Sequence, residues 1–520
     1  MYDLLITGGR VVDGSGRPWF HADIGVTGDT IMDIGRLRGS RARRTIAADG
    51  LVVCPGFIDM HVHSEIYLLA QPDAEARIRQ GVTTDVIGQC GMSYAPASPQ
   101  NMPFWREYLA AAIGTPDLDC DWASVGEFLD RFKRGVGVNV AYLLPHGNVR
   151  MEIMGLEQRP ATADELERMK ALVTRGMSEG AFGLSSGLMY KPSMYGDVDE
   201  LSALSQVVAG YGGLYASHMR QYVHGVEESF EEVCAISRRS GAPAHISHFN
   251  TTAELGGRLL DAARAEGLDI TYDLYPYNAG CTLLGAYLPD WVHAGTTDEA
   301  VERLQQPENR ARLRAELEAG GLKRGSVDRV YLTDLAQPQN KAYQGKSLQD
   351  AAALAGKPVG EFVADLLVEE RFTVTAIADH THRAEADVEK LLQRREQMAG
   401  SDGIMIGEHP HPRGFGAFPR ILGVYVRERG VLELEDAIRR MTWASASRLG
   451  LTERGLLHEG WKADIVCFDA DTVIDRATFA EGRRPPAGIP YVVVNGEIVI
   501  DGEQPTGALP GRALRHRSPA

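Results

Sequence analysis

Short apolar runs recur along the chain, and the way they alternate with polar positions changes twice. Over the first fifty residues they predict strands at Asp3 to Ile6, Arg10 to Asp13, Ala22 to Val26 and Thr30 to Ile34. Gly8-Gly9, Gly14-Ser15-Gly16 and Gly28-Asp29 mark the reversals between them. The far end has the same character: Ala463 to Phe468 reads as a strand, and Pro490 to Ile500 as a hairpin turning at Asn495-Gly496. Two strand-rich ends around a different middle predict one small β-sandwich domain built from residues 1–55 and 455–520.

Between 56 and 454 short apolar runs alternate with helical periodicity. The runs are Val82 to Ile87, Val138 to Leu144, Ala181 to Leu184, Gly213 to Ala216, Ala242 to Ile246, Leu268 to Tyr272, Phe372 to Ile377 and Gly403 to Ile406. A helix after Thr162 is marked by a capping box with Glu165 and by Leu166, Met169, Val173 and Met177 on one face. Another runs from Val226 through Phe230, Val233 and Ile236 and stops at Gly241. Strand–helix alternation over such a length predicts an α/β fold, a parallel (β/α)₈ barrel, with an insertion near 280–345 absorbing the surplus strands.

Composition narrows the partners. The 520 residues carry 54 Lys and Arg against 70 Asp and Glu, a net charge of −16, which disfavours a nucleic-acid partner. No apolar run is long enough to span a bilayer, and the N-terminus shows no secretion signal, so a cytoplasmic protein is expected. The six cysteines are too scattered for a disulfide framework. Homo-oligomerisation is compatible with the chain, but no feature fixes its order.

The chemistry concentrates at strand ends. Gly56-Phe57-Ile58-Asp59-Met60-His61-Val62-His63 puts two imidazoles on the same side of an emerging strand. Cys90 follows the next apolar run, His218 ends another, and His248 follows the one after that. One histidine or cysteine alone is an ordinary packing residue. A thiolate and several imidazoles at the mouth of one barrel are the ligand set that Zn²⁺ prefers. Asp402, between Ser401 and Gly403, supplies a carboxylate able to take a proton from an activated water and pass it to a leaving nitrogen.

With these residues in place the chain resembles the amidohydrolase superfamily, and within it the N-acyl-D-amino-acid deacylases. The resemblance covers nearly the whole length. It rests on the His61–His63 motif, Gly88-Gln89-Cys90-Gly91, Gly183-Leu184-Ser185-Ser186-Gly187-Leu188, Ser217-His218-Met219-Arg220, Ile246-Ser247-His248, Asp273-Leu274-Tyr275-Pro276-Tyr277, Gly400-Ser401-Asp402-Gly403 and His411-Pro412-Arg413. It implies a tight zinc on Cys90, His218 and His248, and a second, weaker site on His61, His63 and Cys90. Asp402 would be general base and acid, and the small-molecule substrate an N-acyl-D-amino acid or related N-acylated amine. Related hydantoinases and dihydroorotases bridge two metals with a carboxylated lysine at the end of strand four. Gly180 to Ser186 holds none and Lys191 comes too late, so Cys90 takes that role by this resemblance.

The chain also departs from the pattern. Asn250 stands where the family usually has lysine two positions after His248, which removes a charge from the carboxylate-binding region. Residues 251–273 form a shorter stretch than usual, and no acidic pair follows Arg220. Tyr190, Tyr275, Arg220, Arg413 and His146 remain candidates, with Asn250, for contacting the substrate. His245, Cys281 and the other histidines and cysteines read as bystanders. Two alternatives stay open: opening of a cyclic amide or imide on the same scaffold, and a non-catalytic binding protein.

Overall fold

The computed structural model describes residues 1–114, 116–320, 322–323 and 325–517. Eight parallel strands build the barrel. They are Phe57–Asp59, Val82–Ile87, Asn139–Tyr142 continued by Leu144–Pro145, Gly183–Gly187, Leu214–His218, Ala244–Ile246, Ile270–Leu274 and Gln397–Ala399. Each pairs in parallel with the next. Closure from eighth strand to first runs through the N–H of Met60 to Ala399 O (3.1 Å), of Asp402 to His61 O (2.7 Å) and of His63 to Gly403 O (3.1 Å). The intervening helices carry the expected signals. Thr162 and Glu165 cap Ala163–Ser178 reciprocally, and Gly241 ends Val226–Ser240 at φ 73°.

The last two barrel strands differ from the sequence expectation. Phe372 to Ile377 does not join the barrel. Thr375–Asp379 is instead the central strand of a separate antiparallel sheet, between Ala279–Leu283 and Val330–Asp334. This insertion therefore reaches residue 379, beyond 345, and has its own core around Leu284, Leu313, Leu332, Leu348 and Val363. Gly403 to Ile406 forms no strand; the eighth strand is only three residues long and ends just before Asp402.

The two ends of the chain meet in one nine-stranded sheet, stitched by Val52–Pro55 lying antiparallel to Ile465–Phe468. Its strands enclose a core of Leu4, Ile24, Ile46, Val53, Ile465 and Val493. The expected reversal at Gly8-Gly9 is a bulge inside the continuous strand Tyr2–Val11, where the register slips between Ile6 and Gly9 and Gly8 takes φ 79°. The hairpin at Asn495-Gly496 pairs Val494 with Glu497, both turn residues having positive φ.

A buried ionic cluster sits beneath the barrel closure. Arg77 bridges Asp59 of the first strand and Asp85 of the second, the latter at 3.0 Å. Asp59 Oδ1 also accepts from the N–H groups of His61 (3.1 Å) and Ser401 (2.8 Å), tying the chain on either side of the closure to one carboxylate. Arg77→Met would leave two buried carboxylates without their cation. It is expected to lower stability by about 3–5 kcal/mol in urea unfolding. An unchanged midpoint would show that the cluster does not hold the closure.

Candidate metal centre

Six of the residues singled out in the sequence meet at the C-terminal mouth of the barrel. His61 and His63 follow the first strand, Cys90 the second, His248 the sixth and Asp402 the eighth, while His218 ends the fifth. Cys90 Sγ is at the middle, 3.3 Å from His61 Nε2, 3.5 Å from His218 Nδ1 and 3.9 Å from His248 Nε2. Asp402 Oδ1 lies 3.5 Å from Nε2 of both His61 and His63. The donors fall into two overlapping triads sharing the sulfur: Cys90, His218 and His248, and His61, His63 and Cys90.

The backbone is bent to achieve this. Cys90, His248 and Asp402 have φ of 56°, 35° and 47°, a left-handed conformation uncommon for residues with a Cβ. Each comes just after a strand and turns its side chain inward over the mouth. The turn at Cys90 fits because strand four ends in glycine. A methyl group on Gly187 would run into the Cys90 carbonyl oxygen.

Behind the donors stands Asp273, at the end of the seventh strand. Its Oδ2 faces His61 Nδ1 (3.3 Å) and His245 Nε2 (3.1 Å), and its Oδ1 accepts the His248 N–H (2.8 Å). His245 is held from its other nitrogen by Thr271 Oγ1 at 2.8 Å. The carboxylate turns His61 so that Nε2 faces the sulfur. Such outer partners set the orientation and basicity of an imidazole ligand.

Burial resists charge on His61, yet Asp273 and Cys90 outweigh it and hold its pKa well above the usual imidazole value. Burial, with His61 and Arg413 nearby, holds His63 well below that value. Burial pushes the Cys90 thiol up, with His61 opposing. Burial likewise raises Asp402, against the pull of Arg413 and His61. Sulfur and two carboxylates thus surround a cluster of imidazoles that attracts a cation. A divalent ion would replace the proton drawn to His61 and Cys90. The sulfur and nitrogen donors fit Zn²⁺.

Three candidate substrate residues border the cavity above this centre: Tyr190, Asn250 and Tyr275. Tyr190 OH is 2.8 Å from Thr282 Oγ1, and Asn250 Nδ2 donates to Tyr275 OH (2.8 Å). Asn250 Oδ1 is buried with no hydrogen-bond partner among the described residues. Arg413 sits behind the wall, with Nη1 2.8 Å from Asp402 Oδ2, Nη2 donating to Cys281 O (3.0 Å) and the guanidinium over the Tyr275 ring.

Two candidates lie elsewhere. Arg220 pairs with Glu232 (2.9 Å) and donates to the carbonyls of Met194 and Gly196, so its guanidinium clamps loops together. His146 is buried between Ser193 Oγ (2.8 Å) and Glu200 Oε1 (2.7 Å), away from the cavity. Sequence reasoning passed over Asp273, His245 and Cys281, the last of which borders the cavity. Asp273 could have been noticed from its place at a strand end; nothing local marked the other two.

Residues 44–500 match the amidohydrolase family. The chain is 35% identical to the D-aminoacylase of Alcaligenes xylosoxydans xylosoxydans, over 99% of this chain and 97% of that one. It is equally identical to the N-acyl-D-glutamate deacylase of the same organism, over 99% and 96%. The structure of N-acyl-D-glutamate deacylase from Bordetella bronchiseptica was solved with zinc and a phosphonate mimic of the tetrahedral intermediate. It aligns at TM-score 0.84 and 33% identity over 99% of both chains. A D-hydantoinase from Thermus sp. shares the fold at TM-score 0.54 and 16% identity. The chain belongs to the amidohydrolase family, in the branch of the N-acyl-D-amino-acid deacylases.

If Asp273 orients the donors as described, Asp273→Asn should weaken zinc binding by about 10–100-fold. Competition with a chromophoric chelator measures this directly. Unaltered affinity would remove Asp273 from the account.

Proposed function

We propose that this protein is a zinc-dependent hydrolase that cleaves the linear amide of N-acyl-D-amino acids, or of closely related N-acylated amines, into a carboxylic acid and a free amine. The observation that carries the reading is the buried Cys90 sulfur among His61, His218 and His248, with the Asp402 carboxylate 3.5 Å from His61 and His63. Full-length similarity to D-aminoacylase and to two further deacylases, of N-acyl-D-glutamate and N-acyl-D-aspartate, supports it.

Cys90, His218 and His248 hold the tighter zinc, and His61 and His63 with Cys90 form a second, weaker site. When bound, zinc supplies Lewis acidity, bringing the pKa of water towards ~7 and polarising the acyl carbonyl. Asp402 takes a proton from the attacking water as oxygen adds to the carbonyl carbon. It then delivers that proton to nitrogen as the C–N bond breaks, because an unprotonated amide anion is a very poor leaving group. Arg413, at 2.8 Å, opposes the rise that burial imposes on Asp402 and keeps the carboxylate available as a base. Asn250 and Tyr275 hold the substrate through neutral hydrogen bonds. No ammonium takes part there, since Lys191 is turned away onto the carbonyls of His293 and Gly295.

Among the described residues no helix is long and apolar enough to cross a membrane. With a net charge of −16 disfavouring nucleic acid, we place the enzyme in the cytoplasm, acting on small molecules. Mass analysis of the products tests the reaction type. Two products are expected from one substrate, whereas a single product heavier by one water would indicate ring opening. In the same assay Asp402→Asn should lose turnover by about 10²–10⁴-fold, with a much smaller change in zinc content. Full activity of that variant would overturn the assignment.

A further inference from the structure

The lining of the cavity over the metal centre is of two kinds. The floor is polar: the metal donors, Asp402, Asn250 and Tyr275. Apart from Tyr190 and Thr282, the rest of the lining is mainly apolar. Leu109, Ala112 and Ile113 come from the helix Met102–Ile113, Leu283 and Tyr287 from the insertion, and Ile404 from the loop after Asp402. Among the described residues lining it there is neither lysine nor arginine.

The cations nearby are committed to other partners. Arg413 holds Asp402 and Cys281 O, Lys191 holds His293 O (3.1 Å) and Gly295 O (2.6 Å), and Arg371 holds Glu107 and Asp298, both at 2.8 Å. A second carboxylate carried into this wall would be desolvated without a counter-charge, which is strongly unfavourable. A hydrocarbon group would instead replace water against apolar carbon.

Leu283 has a second neighbour. It also lines another cavity, which it shares with Tyr108, Ala286 and Phe372 and with the charged Glu107, Lys191 and Arg371. Leu283 is the one residue common to both linings as described. It is buried at the end of the insertion strand Ala279–Leu283 and borders both spaces.

We propose that this chain selects substrates whose wall-facing group is an uncharged hydrocarbon, and that Leu283 limits the length of that group. The inference rests on the deacylase reading above and deepens it. It separates this chain from relatives named for glutamate and aspartate derivatives. The hydrocarbon has two possible sources, the amino-acid side chain or the acyl chain, and a two-armed panel tells them apart.

One arm compares N-acetyl-D-alanine, -leucine, -phenylalanine and -glutamate; the other compares N-acetyl-, N-butanoyl- and N-hexanoyl-D-alanine. The zinc-loaded protein should favour the leucine over the glutamate derivative by about 100-fold or more in kcat/KM, a discrimination expected of an unpaired buried charge. Leu283→Ala should raise the ratio of the longest to the shortest hydrocarbon by about tenfold, in one arm only, and that arm identifies the group. Leu283→Val should move the same ratio less and in the same direction, guarding against a folding defect in the alanine variant. Equal or faster turnover of the glutamate derivative would overturn this inference while leaving the deacylase reading intact. So would a folded Leu283→Ala that leaves both ratios unmoved. Silence across the whole panel with zinc bound would overturn both.

Discussion

One carboxylate governs the geometry of the centre. Asp273 is fully buried, and burial alone would neutralise it. The imidazoles of His61 and His245 outweigh that cost and keep it ionised. Being ionised, it uses both oxygens. One fixes His61 and His245 by their ring nitrogens, and the other fixes the backbone at His248. A single group therefore controls the side chain of one donor and the main chain of another, from strands that are distant in sequence. The fit is close, since a methyl group added at Gly400 would strike the Asp273 side chain.

The same centre concentrates backbone strain. Cys90, His248 and Asp402 each adopt positive φ without being glycine, conformations that persist only where the surroundings over-determine them. Here the surroundings are the buried Asp59–Arg77–Asp85 cluster, the hydrogen bonds that close the barrel, and the glycine at the end of strand four. Stability is thus spent in the floor of the barrel to hold three chemical groups in place at its mouth. The Cys90 turn packs against Gly187, at the end of strand four. Its sulfur stands at the shared corner of the two donor triads.

Much of this was legible because barrel chemistry follows apolar runs. His61, His63, Cys90, His218 and His248 each follow or end a run that reads as a strand, and a barrel brings such ends together whatever their separation in sequence. The reading failed where a strand was too short to show a pattern, as with Gln397–Ala399, and where a run belonged to the insertion, as with Phe372 to Ile377. It also failed where a partner was remote. Arg220 and His146 look like site residues until Glu232 and Glu200 are seen to hold them. Asp273 went unremarked because Tyr275, two residues on, drew the functional reading, and His245 because its value comes only through Asp273.

In the function proposed above, a zinc centre built around Cys90 and served by Asp402 hydrolyses the amide of an N-acyl-D-amino acid. The most direct test follows amine release from N-acetyl-D-leucine and N-acetyl-L-leucine as zinc is titrated into metal-free protein. Release from the D substrate is expected to rise as the tighter site fills, with the L substrate left intact. Release that ignores zinc, or zinc-loaded protein that cleaves the L substrate as readily as the D, would contradict it.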